Sequence, residues 1–91
     1  VYIFTVTEAA SFLGVHADTV RRGEAKGTFP QPRRSSSGAR YYTLNDLVRL
    51  WRCRFGDVDR AAVTELAKIL MERGAPPEEA SQLIRSAVSG L

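Results

Sequence analysis

The alternation of apolar and polar residues divides the 91-residue chain into short segments of helical spacing, punctuated by glycine and proline. Tyr2 to Thr5 (YIFT) is a β-prone lead-in. Thr5 and Glu8 then have capping-box spacing, in which the hydroxyl takes an orphan amide and the carboxylate reaches back. Val6, Ala9, Ala10 and Leu13 follow at helical spacing, and Gly14 ends this first helix as a left-handed cap. Val15 and His16 turn the chain. A second helix is expected from Ala17, with His16 as its cap, Asp18 in the first turn, Val20 inward and Gly27 as the stop. Two short helices joined by a tight turn containing glycine are the helix-turn-helix pattern.

From Thr28 to Ser37 two prolines and a serine run forbid a regular helix. Arg33, Arg34 and Arg40 bracket Ser35 to Gly38, and Tyr41-Tyr42-Thr43 follows, which reads as a small two-stranded hairpin or wing. The aromatics at both ends of this stretch, Phe29 and the tyrosines, argue against a disordered linker. Thr43 and Asp46 repeat the capping logic and launch a third helix carrying Leu44, Leu47, Val48, Leu50, Trp51 and Phe55. Gly56-Asp57 breaks it. A fourth helix, from about Asp59 to Arg73, places Val63, Leu66, Ala67 and Leu70 on one face with Ile69 beside them, and Gly74 closes it. Pro76-Pro77-Glu78-Glu79 opens a fifth, with proline tolerated in the first turn and acids at the amino end. Its apolar stripe is Leu83, Ile84, Ala87 and Val88.

Composition narrows the function classes. One cysteine (Cys53) excludes an internal disulfide framework, and with one histidine there is no zinc-site spacing, so no metal or cofactor is expected. No apolar run approaches the roughly 20 residues of a membrane span, and no signal-peptide pattern opens the chain, so the expected location is cytoplasmic, on the nucleoid. An enzyme is not expected. The chain has no glycine-rich phosphate loop and no nucleophile motif, and Ser36, His16 and Asp18 do not form a triad because the serine lies in a flexible wing.

Net charge is +3, unevenly spread. Between Thr19 and Arg54 stand nine bases and two acids, Glu24 and Asp46, so that this stretch carries +7 and the rest of the chain −4. Such polarisation is the footprint of a phosphate-binding surface. Arginine outnumbers lysine eleven to two, which suits bidentate contact with phosphate and base edges.

The run Thr5 to Lys26 (TVTEAASFLGVHADTVRRGEAK), then Phe29 to Arg34 (FPQPRR) and Gly38 to Leu47 (GARYYTLNDL), resembles in order and spacing the MerR-type helix-turn-helix, a pattern shared by excisionase-like DNA-binding domains. The resemblance covers Thr5 to about Leu50. It implies that Ala17 to Arg22 open a recognition helix in the major groove, where helix starts favour phosphate and project side chains at base edges. Thr19 and Arg22 are then candidates for base contact and Arg21 for a phosphate; His16 is a candidate contact whose plainer role is a cap or turn residue. In the wing, Arg33, Arg34 and Arg40 would follow the backbone or enter the minor groove, and Tyr42 would offer its hydroxyl to a phosphate. Because strand residues alternate, Tyr41 and Tyr42 should face opposite ways, and at most one should touch DNA. Arg49, Arg52 and Arg54 read as a solvated helix face first and as peripheral phosphate contacts second. The sequence departs from the family at Gly23, where a large aromatic usually stands. Glycine there costs about 1 kcal/mol of helix stability relative to alanine and leaves the aromatic's space empty, so that either another group fills it or the helix is looser there.

The expected architecture is mainly α: a winged helix-turn-helix with a small two-stranded β wing in residues 1–55, and a helical extension in residues 56–91 that packs on it or mediates self-association. No long heptad helix is available for the antiparallel coiled coil of MerR-type dimers. The leading function is sequence-specific binding of double-stranded DNA by a bacterial or phage transcriptional regulator. The alternatives are an excisionase-like factor that bends DNA for a recombinase, and a protein-interaction module using the basic face. The partners that follow are DNA, further copies as a homodimer or cooperative multimer, and a recombinase or RNA polymerase.

Overall fold

The computed structural model describes residues 2–89. Five helices surround one apolar core, with a small sheet at the edge: β1 (Ile3–Phe4), α1 (Val6–Leu13), α2 (Ala17–Lys26), β2 (Arg33–Arg34), β3 (Arg40–Thr43), α3 (Leu44–Phe55), α4 (Arg60–Glu72) and α5 (Pro77–Ser89). This is a mainly helical winged helix-turn-helix with extra C-terminal helices.

Local chemistry sets the helix boundaries. Thr5 Oγ1 accepts from the Glu8 amide at 3.1 Å while Glu8 accepts from the Thr5 amide at 2.9 Å, so both halves of the first capping box are formed. The same exchange joins Thr43 and Asp46 at the start of α3. Asp59 caps α4 through the Ala62 amide. At the other ends of α1 and α2, Gly14 and Gly27 take left-handed φ values of 72° and 77°, returning their amides to the last carbonyls of each helix. L-residues with a Cβ avoid that region, which is why glycine stands at both stops.

The sheet differs from the expected two-stranded wing. Its order is β1-β3-β2, both pairings antiparallel, with Phe4 opposite Tyr42 and Arg34 opposite Arg40. The lead-in strand therefore anchors the wing from its other side. Because side chains alternate, Phe4, Tyr42, Arg40 and Arg34 share one face and Ile3, Tyr41 and Arg33 the other. Phe4 and Tyr42 are buried against the helices, whereas Ile3 is exposed.

The core runs continuously from Phe4, Ala9, Leu13 and Val20 through Leu47, Leu50 and Trp51 to Leu66, Leu70 and Ile84. Two residues expected on apolar faces lie largely outside it. Phe55 stacks on Trp51 with ring centroids 4.4 Å apart but stays half exposed at the end of α3. On α4 the buried face is Ala62, Leu66, Ile69 and Leu70, and Val63 is exposed. That helix is rotated from the expected stripe, because it must satisfy α1 on one side and α5 on the other. Arg73, at the end of α4, ties the extension back: its guanidinium forms a two-pronged pair with Glu8 and lies 5.2 Å from the Phe4 ring centroid. Tyr2 Oη donates to Glu79 of α5 at 2.9 Å. No described helix is long and apolar enough to cross a membrane.

Glu8 and Asp46 share an electrostatic signature. Burial pushes both carboxyls up, but hydrogen bonds from Arg73 and Thr5 hold Glu8 below its ordinary value, and those from Thr43 and Arg33 do the same for Asp46. A carboxyl lowered by folding contributes stability above its unfolded pKa and loses it as pH falls through the folded value. The thermal midpoint should thus be flat from neutrality to about pH 5 and fall below about pH 4, the unperturbed carboxylate range. Circular dichroism melts over a pH series check this; a midpoint held constant to pH 3 would remove both groups from the account.

Candidate nucleic-acid interface

Between α1 and α2 lies a three-residue corner, Gly14-Val15-His16. The Val15 amide returns to the Ala10 carbonyl at 3.0 Å, and this tight turn fixes the angle of the second helix. His16 occupies the cap position of α2 in extended conformation, as expected, but its side chain makes no capping hydrogen bond. The first turn of α2 is thus without a side-chain cap, and its dipole end is favourable to an anion. Beyond it, Arg21 is exposed and pairs with Asp18 at 3.1 Å, one turn away. Thr19 is half-buried and Arg22 exposed. Together with Gly23, Lys26, Thr28 and Phe29 these two line a shallow depression of about 250 Å³. Among the described residues neither Arg22 nor Lys26 makes an ion pair.

The wing arginines are held by the two acids of the basic stretch. Arg40 Nε donates to Glu24 at 3.0 and 3.3 Å, and Arg34 Nη2 stands 3.7 Å from the same carboxylate. Glu24 belongs to α2 and its side chain is only 11% exposed, so this contact docks the wing onto the second helix. On the opposite sheet face, Arg33 Nε donates to Asp46 at 3.0 Å, and Arg49 donates to the other oxygen of that carboxylate at 3.0 Å. The hairpin turn closes on itself: the Gly38 amide reaches the Ser35 carbonyl, and Ser35 Oγ accepts from the Ala39 amide. Arg34 also donates to the Gly38 carbonyl at 3.1 Å. His16, Thr19, Arg21 and Arg22 therefore lie on α2 or its cap, and Arg34 and Arg40 lie beside it. Arg33 is turned toward α3. Arg52 and Arg54 are exposed on α3, with Arg54 5.3 Å from the Phe55 ring centroid.

Tyr42 is a correction. Its side chain is fully buried and its hydroxyl reaches no partner, so it cannot offer that hydroxyl to a phosphate. The reason is register: opposite Phe4, it points to the core face of the sheet, and Tyr41 takes the outward position, half-buried. Burial, with the Glu24 carboxylate close by, raises the Tyr42 phenol above its ordinary value and keeps it protonated.

Gly23 is explained by Phe29. A Cβ built on Gly23 would stand 2.3 Å from Phe29 Cδ2 and 2.9 Å from Cγ, so the ring rests directly on the helix backbone. The segment is locked there: the Thr28 and Phe29 amides both donate to the Gly23 carbonyl, and Gln31 Nε2 donates to that of Glu24 at 2.7 Å. The aromatic that residue 23 lacks is supplied from six residues downstream. Reading the residues one at a time missed Phe29 and Glu24. A signal for Glu24 existed, since isolated acids in a strongly basic stretch invite more than one arginine each.

The helix-turn-helix, the hairpin docked on its second helix and the clustered arginines together form a fold and charge pattern suited to duplex DNA. The sequence profile of the family described as MerR HTH family regulatory protein matches residues 4–55, more than half of the chain, and the chain belongs to that family. It is thus a DNA-binding regulator in general type. No curated protein and no solved structure matches it.

Two outcomes follow from the packing. Gly23→Ala should lower unfolding free energy by about 1–2 kcal/mol, because overpacking against Phe29 outweighs the gain in helix propensity. In a Phe29→Ala background the same change should stabilise by about 1 kcal/mol. Urea titration of the four proteins checks this, and equal effects in both backgrounds would refute the contact. Tyr42→Phe should leave DNA affinity unchanged and raise stability by about 1 kcal/mol through loss of an unpaired buried hydroxyl; a tenfold loss of affinity would restore the hydroxyl to the interface.

Proposed function

We propose that the chain is a sequence-specific transcriptional regulator that enters the major groove with the start of α2 and straddles the adjoining backbone with its wing. The observation that carries this reading is the docking of Arg34 and Arg40 onto α2 through Glu24, which makes the exposed bases of helix and wing one continuous surface. Thr19 and Arg22, beside the depression at Gly23, are the base-contact candidates. Arg21, Arg34 and Arg40 are assigned to phosphates or the minor groove. Arg33 and His16 take peripheral roles, Arg33 because its Nε is committed to Asp46.

Residues 1–55 form the DNA-binding unit in this reading and residues 56–91 a helical extension braced against it; residues 1, 90 and 91 lie outside the described residues. The brace is Arg73 on Glu8 and Phe4, together with α5 against α3. No chemistry is assigned to the site.

The test is selection of preferred duplexes from a random pool, followed by footprinting of the winners. A defined motif within a promoter supports the regulator; protection of repeated sites with bending would point instead to an architectural role. Half-sites a helical turn apart would show a dimer on DNA. Arg22→Ala should cost affinity and relax discrimination at one base position, whereas uniform loss over all sequences would reassign it to a phosphate. Arg40→Ala should weaken binding to every sequence and reduce the log–log salt slope by about 0.9; an unchanged slope would take the wing out of the interface.

A further inference from the structure

The wing arginines carry more charge than a docking role requires, and one carboxylate governs both of those nearest α2. Glu24 is the one acid among the described residues that pairs with Arg34 and Arg40, and its own side chain is almost covered. Arg40 is gripped through Nε, the inner nitrogen of the guanidinium, by both Glu24 oxygens. Among the described residues no group engages the outer nitrogens of Arg40, and its side chain is 40% exposed. Arg34 is anchored twice, by Glu24 and by the Gly38 carbonyl at the turn. Two long cations that would otherwise sweep a wide volume are thus held at fixed positions beside the helix.

We propose that Glu24 is a positioning residue for specificity: it restrains Arg34 and Arg40 so that the wing meets DNA only in the register set by α2, and it offsets charge that would attract any duplex. This rests on the reading that the wing arginines contact DNA. Two physical effects act in the same direction. The carboxylate cancels one positive charge at the interface, which lowers sequence-independent attraction through counterion release. It also removes rotamer freedom before binding, so the correct complex loses less entropy on forming. Asp46 does not share this role. It holds Arg33 and Arg49 on the opposite sheet face while capping α3, and its removal would disturb the helix itself.

The experiment compares the full chain with Glu24→Gln, using a duplex selected as above and a random duplex of equal length over a salt series. Glu72→Gln, an exposed change on α4, supplies the same change of net charge away from the wing. The Glu24→Gln protein should bind random duplex about three- to tenfold more tightly, with a salt slope steeper by about 0.9 as the positive charge that the carboxylate cancels is restored to the interface. It should bind the selected duplex no more tightly than wild type, so the specificity ratio falls by a similar factor. Glu72→Gln should leave slope and ratio unchanged. Glu24→Asp, which keeps the charge on a shorter arm, should recover the random-duplex slope. The proposal fails if Glu24→Gln behaves as Glu72→Gln while Arg34→Ala and Arg40→Ala still reduce the slope. If those arginine variants leave the slope untouched, the wing contact itself is wrong and the proposal falls with it. Should Glu24→Gln melt early, Arg40→Lys keeps the charge but loses the guanidinium grip on both Glu24 oxygens; it should lower the specificity ratio, and an unchanged ratio would overturn the proposal.

Discussion

Asp46 sits where three parts of the chain meet. Its carboxylate accepts the Thr43 amide that begins α3, the Arg33 guanidinium from the wing and the Arg49 guanidinium one turn along the helix. A buried carboxylate without partners would cost several kcal/mol, and here every approach is from a donor. The wing depends on this arrangement because it has no core of its own: β2 is two residues long, both arginines, and among the described residues Tyr42 is the one fully buried side chain of the hairpin. With β1 pairing on the far side of β3, the wing becomes part of the same rigid body as the helices.

Glu24 completes the frame from the other face of the sheet. The two acids within the basic stretch thereby each bind a pair of arginines, and neither acts as mere charge dilution. The surface that remains keeps Arg22 and Lys26 without ion pairs among the described residues, beside arginines already fixed in direction. If this face meets DNA as proposed, such a construction exchanges some long-range attraction for geometric definition, the exchange that separates discriminating contacts from general adhesion to a polyanion.

The Gly23 and Phe29 contact shows how this small domain covers a helix surface at a residue that has no side chain. Removing a large side chain from a helix normally leaves a void that destabilises the fold. Here the loop after α2 folds back, donates two amides to the Gly23 carbonyl, and sets an aromatic ring on the exposed backbone. Glycine is then required by the ring, because any Cβ would collide with it. The ring's volume takes the place that a side chain at residue 23 would occupy.

The sequence alone determined the helix starts and stops, the glycine corner, the hairpin and the basic stretch, because each depends on residues within one turn or one hairpin of each other. Capping boxes at Thr5 and Thr43 and left-handed glycines at 14 and 27 are local devices, and local chemistry is what a linear pattern records. It also carried the family, through the order of those devices from Thr5 to Leu50. Tertiary structure decided what the pattern could not: that β1 joins β3 some forty residues later, that α4 turns Val63 outward, that Tyr42 rather than Tyr41 is buried, and that Phe29 fills the place of residue 23. Each of these is settled by packing between distant segments, where the choice between two faces of a strand or helix belongs to the partner surface. The arginines were visible from the start as charge; their directions exist only because Glu24 and Asp46 come to lie beside them in the folded chain.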